Sequence, residues 1–411
     1  MAAILPNSRD VMAGSRCRLA VVVSHPIQYY APWFAQLAQV PELVLHVFHL
    51  WDFGVVEQRD ATFGVPIRWD LPLLEGYASS LIPNRAADPG PHHFRGLDNP
   101  GLVGALRRWH PDAVLLFGYA SLSHLRVLLD PRLWGVPLLF RGDSHDLARG
   151  RTWRDGCAAV LRALLFRRFA AALAVGQANR AYLRRHGMGR RVVMAPHCVD
   201  NARFRNAVPA AEREARAWRR RLGIALDAPV VLFAGKFEPK KRPLDLLEAF
   251  ARLAHPTAVL VFVGAGPLEA ELRQRASALP PGRVILQGFQ NQQAMPRTYA
   301  LGDLLVLPSY GHGETWGLAV NEAMAMARPV IVSDHVGCAA DLVLPGRTGW
   351  VFPAGDRSAL GACLAAALAD PDRLREMGCA AQAHAAGFSY EAATAGLLQA
   401  LVQVGGLESA R

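Results

Sequence analysis

Lysine is almost absent from this chain of 411 residues. The chain carries 45 lysines and arginines, yet its lysines are confined to Lys236, Lys240 and Lys241 in the segment AGKFEPKKRP. An ammonium group is a compact point charge on a flexible stem, whereas a guanidinium group is a planar fork, so the two cations are not equivalent at an anion site. We therefore predict that this turn binds an anion such as a diphosphate, with a solvated basic loop as the ordinary alternative.

Long apolar runs and paired cysteines are also missing. No stretch reaches the roughly 20 apolar residues that a membrane-spanning helix needs, and polar residues interrupt the apolar N-terminal segment. The six cysteines are scattered, with no CxxC pair, and no histidine cluster shows metal-ligand spacing. We expect a cytoplasmic protein without structural zinc. The arginine-rich segment 151–172 leaves peripheral contact with an anionic membrane surface as an alternative.

The overall composition limits the remaining function classes. With 52% hydrophobic and 19% charged residues the chain is globular, and its length favours two domains. A formal net charge of +11 favours an anionic partner, which could be nucleic acid, a membrane surface or a phosphorylated ligand. Because basic residues are spread through both halves without a nucleic-acid motif, we expect no nucleic-acid partner.

Short apolar runs alternate with helical patterns along the chain, which is typical of parallel α/β sheets. The predicted strands are LAVVVSH, LVLHVFHLW, AVLLFGY, PLLFRG, ALAVG and RVVMAPH in the first half, and VVLFAGK, AVLVFVG, RVILQG, LLVLPS, RPVIVSD and TGWVFP in the second. Between the two series, residues 201–227 predict a linker and a surface helix. We predict two Rossmann-like, doubly wound α/β domains that face a central cleft.

The strongest chemical signal lies in residues 307–333, LPSYGHGETWGLAVNEAMAMARPVIVS. A glycine-bearing loop follows a predicted strand and leads into a helix that starts near Leu318. Backbone N–H groups at such a helix start bind phosphate well, and Lys236 and Lys241 could supply the opposing cations. Glu314 and Glu322 flank the helix start, where carboxylates could accept hydrogen bonds from sugar or ribose hydroxyls. Ordinary N-terminal helix charge is the alternative for either residue alone.

These motifs resemble those of retaining nucleotide-sugar glycosyltransferases with the GT-B fold, specifically glycosyltransferase family 4. GETWGLAVNEAMA is similar to the family's paired-glutamate signature, and AGKFEPKK is similar to its phosphate loop. Three further segments match in the expected order: FVGAGPLEAEL, VILQGFQNQQAMPRTYALGDLLVLPS and LPGRTGWVFPAGD. The resemblance covers residues 230–357. In the first half only APHCVDNARF matches, with His197 and Cys198 in place of the usual Asn-Gly.

The resemblance implies a function and a set of donor residues. It implies transfer of a sugar, with retention of configuration, from a nucleoside-diphosphate sugar to a hydroxyl acceptor in bacterial envelope or exopolysaccharide synthesis. The acceptor would be a glycan, a lipid-linked saccharide or a small molecule, and neither a cofactor nor an essential metal is expected. Lys236 and Lys241 would stabilise the departing diphosphate, Glu314 would hold the transferred sugar, and Glu322 would hold the ribose. The remaining implied donor residues are Gly235, Gly264, Thr315, Trp316, Gly317 and Leu318.

The acceptor side is predicted from strand ends and from the resemblance. His25 ends the first predicted strand and could orient the acceptor or the reacting phosphate, so we group it with the catalytic candidates. Arg141, His145 and Tyr29 are acceptor-side candidates, with capped turns and core packing as their ordinary roles. We predict an acceptor domain over residues 1–205 plus 388–411, and a donor domain over residues 206–387.

Two other functions stay open from the sequence. The first is a nucleotide-sugar epimerase of similar fold, which would need an acid and a base in the cleft and no acceptor. The second is a non-catalytic protein that binds nucleotide sugars, which would bind a donor without turning it over.

Overall fold

The structure, a computed structural model, describes residues 16–60, 63–148 and 153–407. The first residues of the predicted acceptor domain, 1–15, and the start of the arginine-rich segment, 151–152, lie outside the described residues. The strands are β1 Cys17–Val23, β2 Leu43–His49, β3 Gln58–Arg59, β4 Pro66–Ile67, β5 Ser79–Leu81, β6 Ala113–Phe117, β7 Leu138–Gly142, β8 Ala171–Ala174, β9 Val192–Met194, β10 Val230–Ala234, β11 Val259–Val263, β12 Val284–Gln287, β13 Leu304–Leu307, β14 Val330–Ser333 and β15 Gly349–Phe352. The α-helices are α1 Ala31–Leu37, α2 Leu102–Trp109, α3 Leu122–Leu129, α4 Trp153–Phe166, α5 Gln177–Leu183, α6 Asn201–Arg221, α7 Pro243–Ala251, α8 Glu269–Ala276, α9 Met295–Leu301, α10 Leu318–Ala325, α11 Ala339–Leu342, α12 Arg357–Leu368, α13 Pro371–Ala385 and α14 Tyr390–Gln403.

Two parallel sheets form the two halves of the molecule. The first sheet has the strand order β5-β2-β1-β6-β7-β8-β9, and the second has the order β12-β11-β10-β13-β14-β15. In each sheet the strand order reverses at the first strand of the series, β1 or β10. A doubly wound sheet opens a crevice at this reversal, beyond the carboxyl ends of its strands, which is where such folds bind ligands.

The strands form where the sequence is continuously apolar because helices cover both faces of each sheet. All residues of β10 are buried, and its side chains alternate between two separate hydrophobic clusters. Val231 and Phe233 pack with α7 and α12, whereas Leu232 and Ala234 pack with α9 and α10. This alternation places one layer of helices on each face of the second sheet.

The helices α6 and α14 connect the two halves of the molecule. α6 runs for 21 residues, with Pro209 inside it and Asp200 capping its first turn. Residues 201–221 therefore form one continuous helix, where the sequence predicted a linker followed by a helix. The terminal helix α14 returns to the first sheet, and Trp33 Nε1 donates a hydrogen bond to Thr394 Oγ1 at 3.0 Å.

A small antiparallel hairpin, β3–β4, projects from the first half. The sequence analysis did not predict it. In the described part of the chain, no helix combines the length and apolar character required to cross a membrane.

Candidate functional site

A cavity of about 1190 Å³ lies between the two sheets. It is lined by residues from both halves of the chain, including most of the predicted site residues. Among its lining residues are His25, Tyr29, Asp60, Phe63, Gly235, Lys236, Lys241, Gly264, Phe289, Glu314, Thr315, Trp316, Gly317, Leu318 and Glu322. The fold thus brings the lysine turn, the paired glutamates and the first-half candidates His25 and Tyr29 to one space.

The turn after β10 carries the lysines into this cavity. Lys241 Nζ donates to Glu314 Oε2 at 2.6 Å, and Ser309 Oγ donates to the same oxygen at 3.0 Å. Burial acts to raise the pKa of Glu314, but Lys241 and Ser309 lower it, and the net pKa lies below its ordinary value. Glu314 is therefore an ionised hydrogen-bond acceptor held beside a cation.

The other lysines of this turn are also near carboxylates. Lys236 Nζ lies 3.1 Å from both carboxylate oxygens of Asp60, which belongs to the β3–β4 hairpin. Lys240 Nζ lies 3.2 Å from Glu238 Oε2. Each lysine of the chain is thus within ion-pair distance of a carboxylate, and the pair of Lys236 crosses the cleft.

Two glycines allow the backbone turns after β10 and β11 to touch. Gly264 has a φ of 149°, and a Cβ at this position would lie 1.9 Å from the carbonyl oxygen of Gly235. No side chain fits between these turns. The close contact sets the course of the backbone next to Lys236 and Lys241.

The N-terminus of α10 faces the cavity. Gly317 has a φ of 98° and turns the chain into the helix, and Gly317, Leu318 and Ala319 all line the cavity. N–H groups in the first turn of a helix have no partner within the helix and carry partial positive charge. Trp316 is buried beneath this turn, where its Nε1 donates to Asn321 Oδ1 at 2.7 Å.

Glu322 lies about one turn into α10 and is almost fully buried, with 2% of its surface exposed. The Tyr299 hydroxyl donates to its Oε2 atom at 2.5 Å, while among the described residues its Oε1 atom has no hydrogen-bond partner. Burial raises the pKa of Glu322 to about 7, against the lowering effects of Tyr299 and Arg203. A buried carboxylate oxygen without a donor, on a residue that lines the cavity, suits a ligand hydroxyl.

His25 forms part of the opposite wall. Its ring meets Trp51 and Phe53 edge-on, with ring centroids 5.6 and 5.5 Å away, and its Nδ1 lies 2.9 Å from Ser24 Oγ. Burial lowers the pKa of His25 to about 4, so its imidazole is neutral at physiological pH. A neutral imidazole can accept or donate one proton at the cavity surface. Tyr29 lies on the same wall.

Arg141 and His145 do not line the cavity, contrary to the expectation that both face an acceptor. Arg141 is buried, with its guanidinium stacked over Trp33 and donating to the carbonyls of Ala195, at 2.8 Å, and Pro196, at 3.2 Å. His145 Nε2 lies 3.2 Å from the Glu314 carbonyl oxygen. These contacts connect neighbouring segments of the chain instead of facing the cavity. A position at the end of a predicted strand does not reveal where a long side chain such as that of Arg141 will pack.

Three groups of residues at this site were not predicted from the sequence. Asp143 accepts a hydrogen bond from Thr315 Oγ1 at 2.6 Å across the cleft. Asp60 and Phe63 reach the cavity from the hairpin, for which Gly64 between two short strands was the only local signal. Asp88 and His92 line the cavity, and their ligand atoms and that of the neighbouring His93 lie within 4.8 Å of one another, although no histidine cluster was expected. Their side chains are exposed, and contacts of both histidine rings with Asp88 explain the grouping.

Comparison with known proteins places this architecture among sugar-transferring enzymes. Residues 214–384 match the model of the family Glycosyl transferases group 1. The chain is 31% identical to a D-inositol 3-phosphate glycosyltransferase of Nocardia farcinica over 366 residues, which is 80% of this chain and 76% of that protein. It is 33% identical over 196 residues to a GDP-mannose-dependent monoacylated alpha-(1-6)-phosphatidylinositol monomannoside mannosyltransferase of Corynebacterium glutamicum, covering 46% of this chain and 50% of the relative.

Solved structures show the same two-domain arrangement. Anabaena Alr3699/HepE in complex with UDP superposes with a TM-score of 0.70 at 19% identity, over 94% of this chain and 99% of that chain. Sucrose-phosphate synthase of Thermosynechococcus elongatus gives a TM-score of 0.69 at 21% identity, over 95% and 99% of the two chains. These likenesses confirm the predicted GT-B fold.

Proposed function

The chain belongs to the glycosyl transferases group 1, and we propose that it is a retaining, metal-independent enzyme of glycosyltransferase family 4. Glycosyl transfer from a nucleotide-sugar donor follows from the family, and the relatives named above are transferases, with no epimerase among them. The proposal adds the stereochemistry, the roles of single residues, and a place in bacterial envelope or exopolysaccharide synthesis.

The arrangement around α10 carries this proposal. One cavity is bordered by the hydrogen-bonded pair Lys241 and Glu314, by the N-terminus of α10 and by the buried Glu322. Among the described residues, Glu322 Oε1 has no hydrogen-bond partner. In the proposed complex, the ribose hydroxyls bind Glu322, and the hydroxyls of the transferred sugar bind Glu314. The diphosphate then lies between the N-terminus of α10 and the lysines at 236 and 241.

The chemistry is electrostatic. As the bond between the sugar and the diphosphate breaks, negative charge grows on the leaving phosphate, and cations fixed beside it stabilise the transition state more than the ground state. Attack of the acceptor hydroxyl from the same face of the sugar would retain its configuration, with a donor phosphate oxygen taking the hydroxyl proton. His25, neutral and on the facing wall, would orient the acceptor or the reacting phosphate.

The acceptor is proposed by analogy. The named relatives act on inositol phosphate and on a phosphatidylinositol mannoside, so a phosphorylated or lipid-linked hydroxyl compound is the acceptor class that they suggest. Contact with an anionic membrane surface stays a prediction.

A thermal-shift panel tests the donor site. The panel contains UDP, GDP and ADP sugars, and we expect the sugars of one of these nucleotides to raise the melting temperature of the wild-type protein. A ligand that binds only the folded state stabilises it. In Glu322→Gln the same compound should give a clearly smaller shift, since the ribose loses a charged acceptor. A binding protein without activity would show these shifts but release no nucleoside diphosphate.

Absence of any shift, or an equal shift in both proteins, would contradict the assigned donor site. Arg252→Ala, which removes an exposed arginine at the end of α7, is the matched control and should respond like the wild type.

A further inference from the structure

The β3–β4 hairpin of the first half reaches across the cleft to the second half. The Phe63 ring packs edge-on against Phe289, with ring centroids 4.9 Å apart. Asn291 Nδ2 donates to the Arg68 carbonyl at 2.7 Å, and the Gln293 backbone N–H donates to Asp70 Oδ1 at 3.0 Å. The hairpin therefore forms a wall of the cavity next to the lysine turn.

Within this hairpin, the Asp60 carboxylate is held by its own turn and directed at Lys236. The Phe63 N–H donates to Asp60 Oδ1 at 2.8 Å, and the Asp60 N–H donates to the Val65 carbonyl at 3.0 Å. Both carboxylate oxygens lie 3.1 Å from Lys236 Nζ, which also lies 4.7 Å from the centre of the Phe63 ring. The side chain of Asp60 is only 14% exposed, so water screens this pair weakly.

Carboxylates already lie beside the cations of the lysine turn. Each of its three lysines lies within ion-pair distance of one carboxylate. A diphosphate entering this space carries negative charge and meets cations that already have partners. Glu238 and Glu314 lie on the same half of the chain as their lysines, whereas Asp60 comes from the other half.

We propose that Asp60 is a positioning residue that competes with the diphosphate for Lys236. With the donor bound, the phosphate takes the place of the carboxylate at the Lys236 ammonium. After transfer, Asp60 re-forms its pair and weakens the hold of the site on the nucleoside diphosphate product. This inference rests on the proposed function, because it requires the diphosphate to lie at the lysine turn.

The test compares Asp60→Asn with the wild type in calorimetric titrations of UDP, GDP and ADP and of the corresponding nucleosides. Asparagine keeps the oxygen that accepts the Phe63 N–H but removes the competing charge. We expect Asp60→Asn to bind the matching nucleoside diphosphate about tenfold more tightly, with nucleoside affinity unchanged. Asp60→Glu, which retains the charge, should return the affinity towards the wild-type value.

Asp70→Asn is the matched control. Asp70 belongs to the same contact across the cleft, but its carboxylate accepts a hydrogen bond from the Gln293 backbone N–H rather than lying beside a lysine, and its carbonyl oxygen accepts from Gln293 Nε2. We expect this variant to bind the diphosphate like the wild type, because it alters the hairpin contact without removing a carboxylate from a lysine.

The other outcomes overturn the inference in distinguishable ways. Equal or weaker diphosphate binding by Asp60→Asn would mean that Asp60 does not compete with the phosphate. Equal tightening for the nucleoside, or the same tightening in Asp70→Asn, would mean that hairpin loosening, rather than charge, is responsible. If the wild-type protein bound none of the three diphosphates, the proposed function would fail together with the inference.

Discussion

At the scale of single residues, the site places ionisable groups in two different environments. Glu314 is kept ionised by Lys241 and Ser309, whereas burial raises the pKa of Glu322 to about 7 even though the Tyr299 hydroxyl donates to it. A carboxylate whose pKa is raised by burial destabilises the folded protein when it ionises. Residues that serve binding often lower the stability of the folded protein in this way, because selection for function retains a group that selection for stability alone would replace.

The pKa of Glu322 predicts how stability depends on pH. Its folded-state pKa lies above the ordinary value of 4.5, so the cost is absent below pH 4.5, grows as the pH rises, and is complete above about pH 7. Glu322→Gln removes this cost. The variant should therefore gain stability over the wild type as the pH rises. Between pH 5 and pH 8, the free energy of unfolding of Glu322→Gln minus that of the wild type should increase by on the order of 3 kcal/mol. Urea unfolding of both ligand-free proteins at the two pH values measures this change.

Glu314→Gln provides the contrasting control. Because the pKa of Glu314 is lowered, its contribution is lost only as the pH falls through the acid range, and it should stay constant between pH 5 and pH 8. If Glu322→Gln also showed no change between these values, Glu322 would not be the buried, destabilised carboxylate described here.

How far the sequence predicts single residues depends on what each prediction uses. Lys236, Lys241, Glu314 and Glu322 lie together as expected, because they sit in short motifs whose spacing fixes where the side chains go. Arg141 is different: its strand-end position is as predicted, but its side chain stacks on Trp33, which is remote in sequence. Asp60 was missed for a related reason, since its partner Lys236 lies on the other half of the chain.

At the scale of elements, the continuous apolar runs predicted the long strands well. Each of the twelve predicted runs overlaps a strand of the two sheets, whereas β5, of three residues, lies in no predicted run. The hairpin strands β3 and β4, of two residues each, are too short to show a periodic pattern. The helix α6 continues through Pro209 because its buried face, with Phe204, Ala211 and Trp218, packs over the whole length.

The turns after neighbouring strands give a prediction at this scale. Gly264→Ala places a Cβ 1.9 Å from the Gly235 carbonyl oxygen and forces a non-glycine residue into a φ of 149°. We expect a loss of about 2 kcal/mol or more in the free energy of unfolding, together with a loss of the nucleotide-dependent thermal shift. Urea unfolding and the thermal-shift panel measure the two effects.

Gly288→Ala is the matched substitution after the next strand, β12. A Cβ there meets nothing within 4 Å, so stability should change by only about 0.5 kcal/mol. Similar stability losses in the two variants would show that the contact between the Gly235 and Gly264 turns does not set the backbone of the site.

At the scale of the whole molecule, the site exists only because two sheets face each other. The cavity takes His25 and Asp60 from one half and Lys236, Glu314 and Glu322 from the other. The two-domain architecture was predictable, because two series of strands are separated by the charged segment that forms α6. The contacts across the cleft were not, since they depend on how the halves are oriented and not on any local pattern.

This division of the site explains how transfer could be coupled to assembly of the two halves. Thr315 donates to Asp143, and the hairpin reaches the lysine turn, so the donor loops of the second half are held by the first. If the donor binds in the second half, as proposed, it would complete a site whose other wall lies in the first.

Release of nucleoside diphosphate by the wild type and by Lys241→Ala tests the central claim most directly. The assay uses the donor sugar identified by thermal shift, with water and with D-inositol 3-phosphate as acceptors, and with Arg252→Ala as the folded control. We predict release by the wild type and by Arg252→Ala, and a loss of about 100-fold or more in Lys241→Ala, because the leaving phosphate loses its cation. Near-normal release by Lys241→Ala would contradict diphosphate stabilisation at the lysine turn, and no release by the wild type would contradict the proposed transfer.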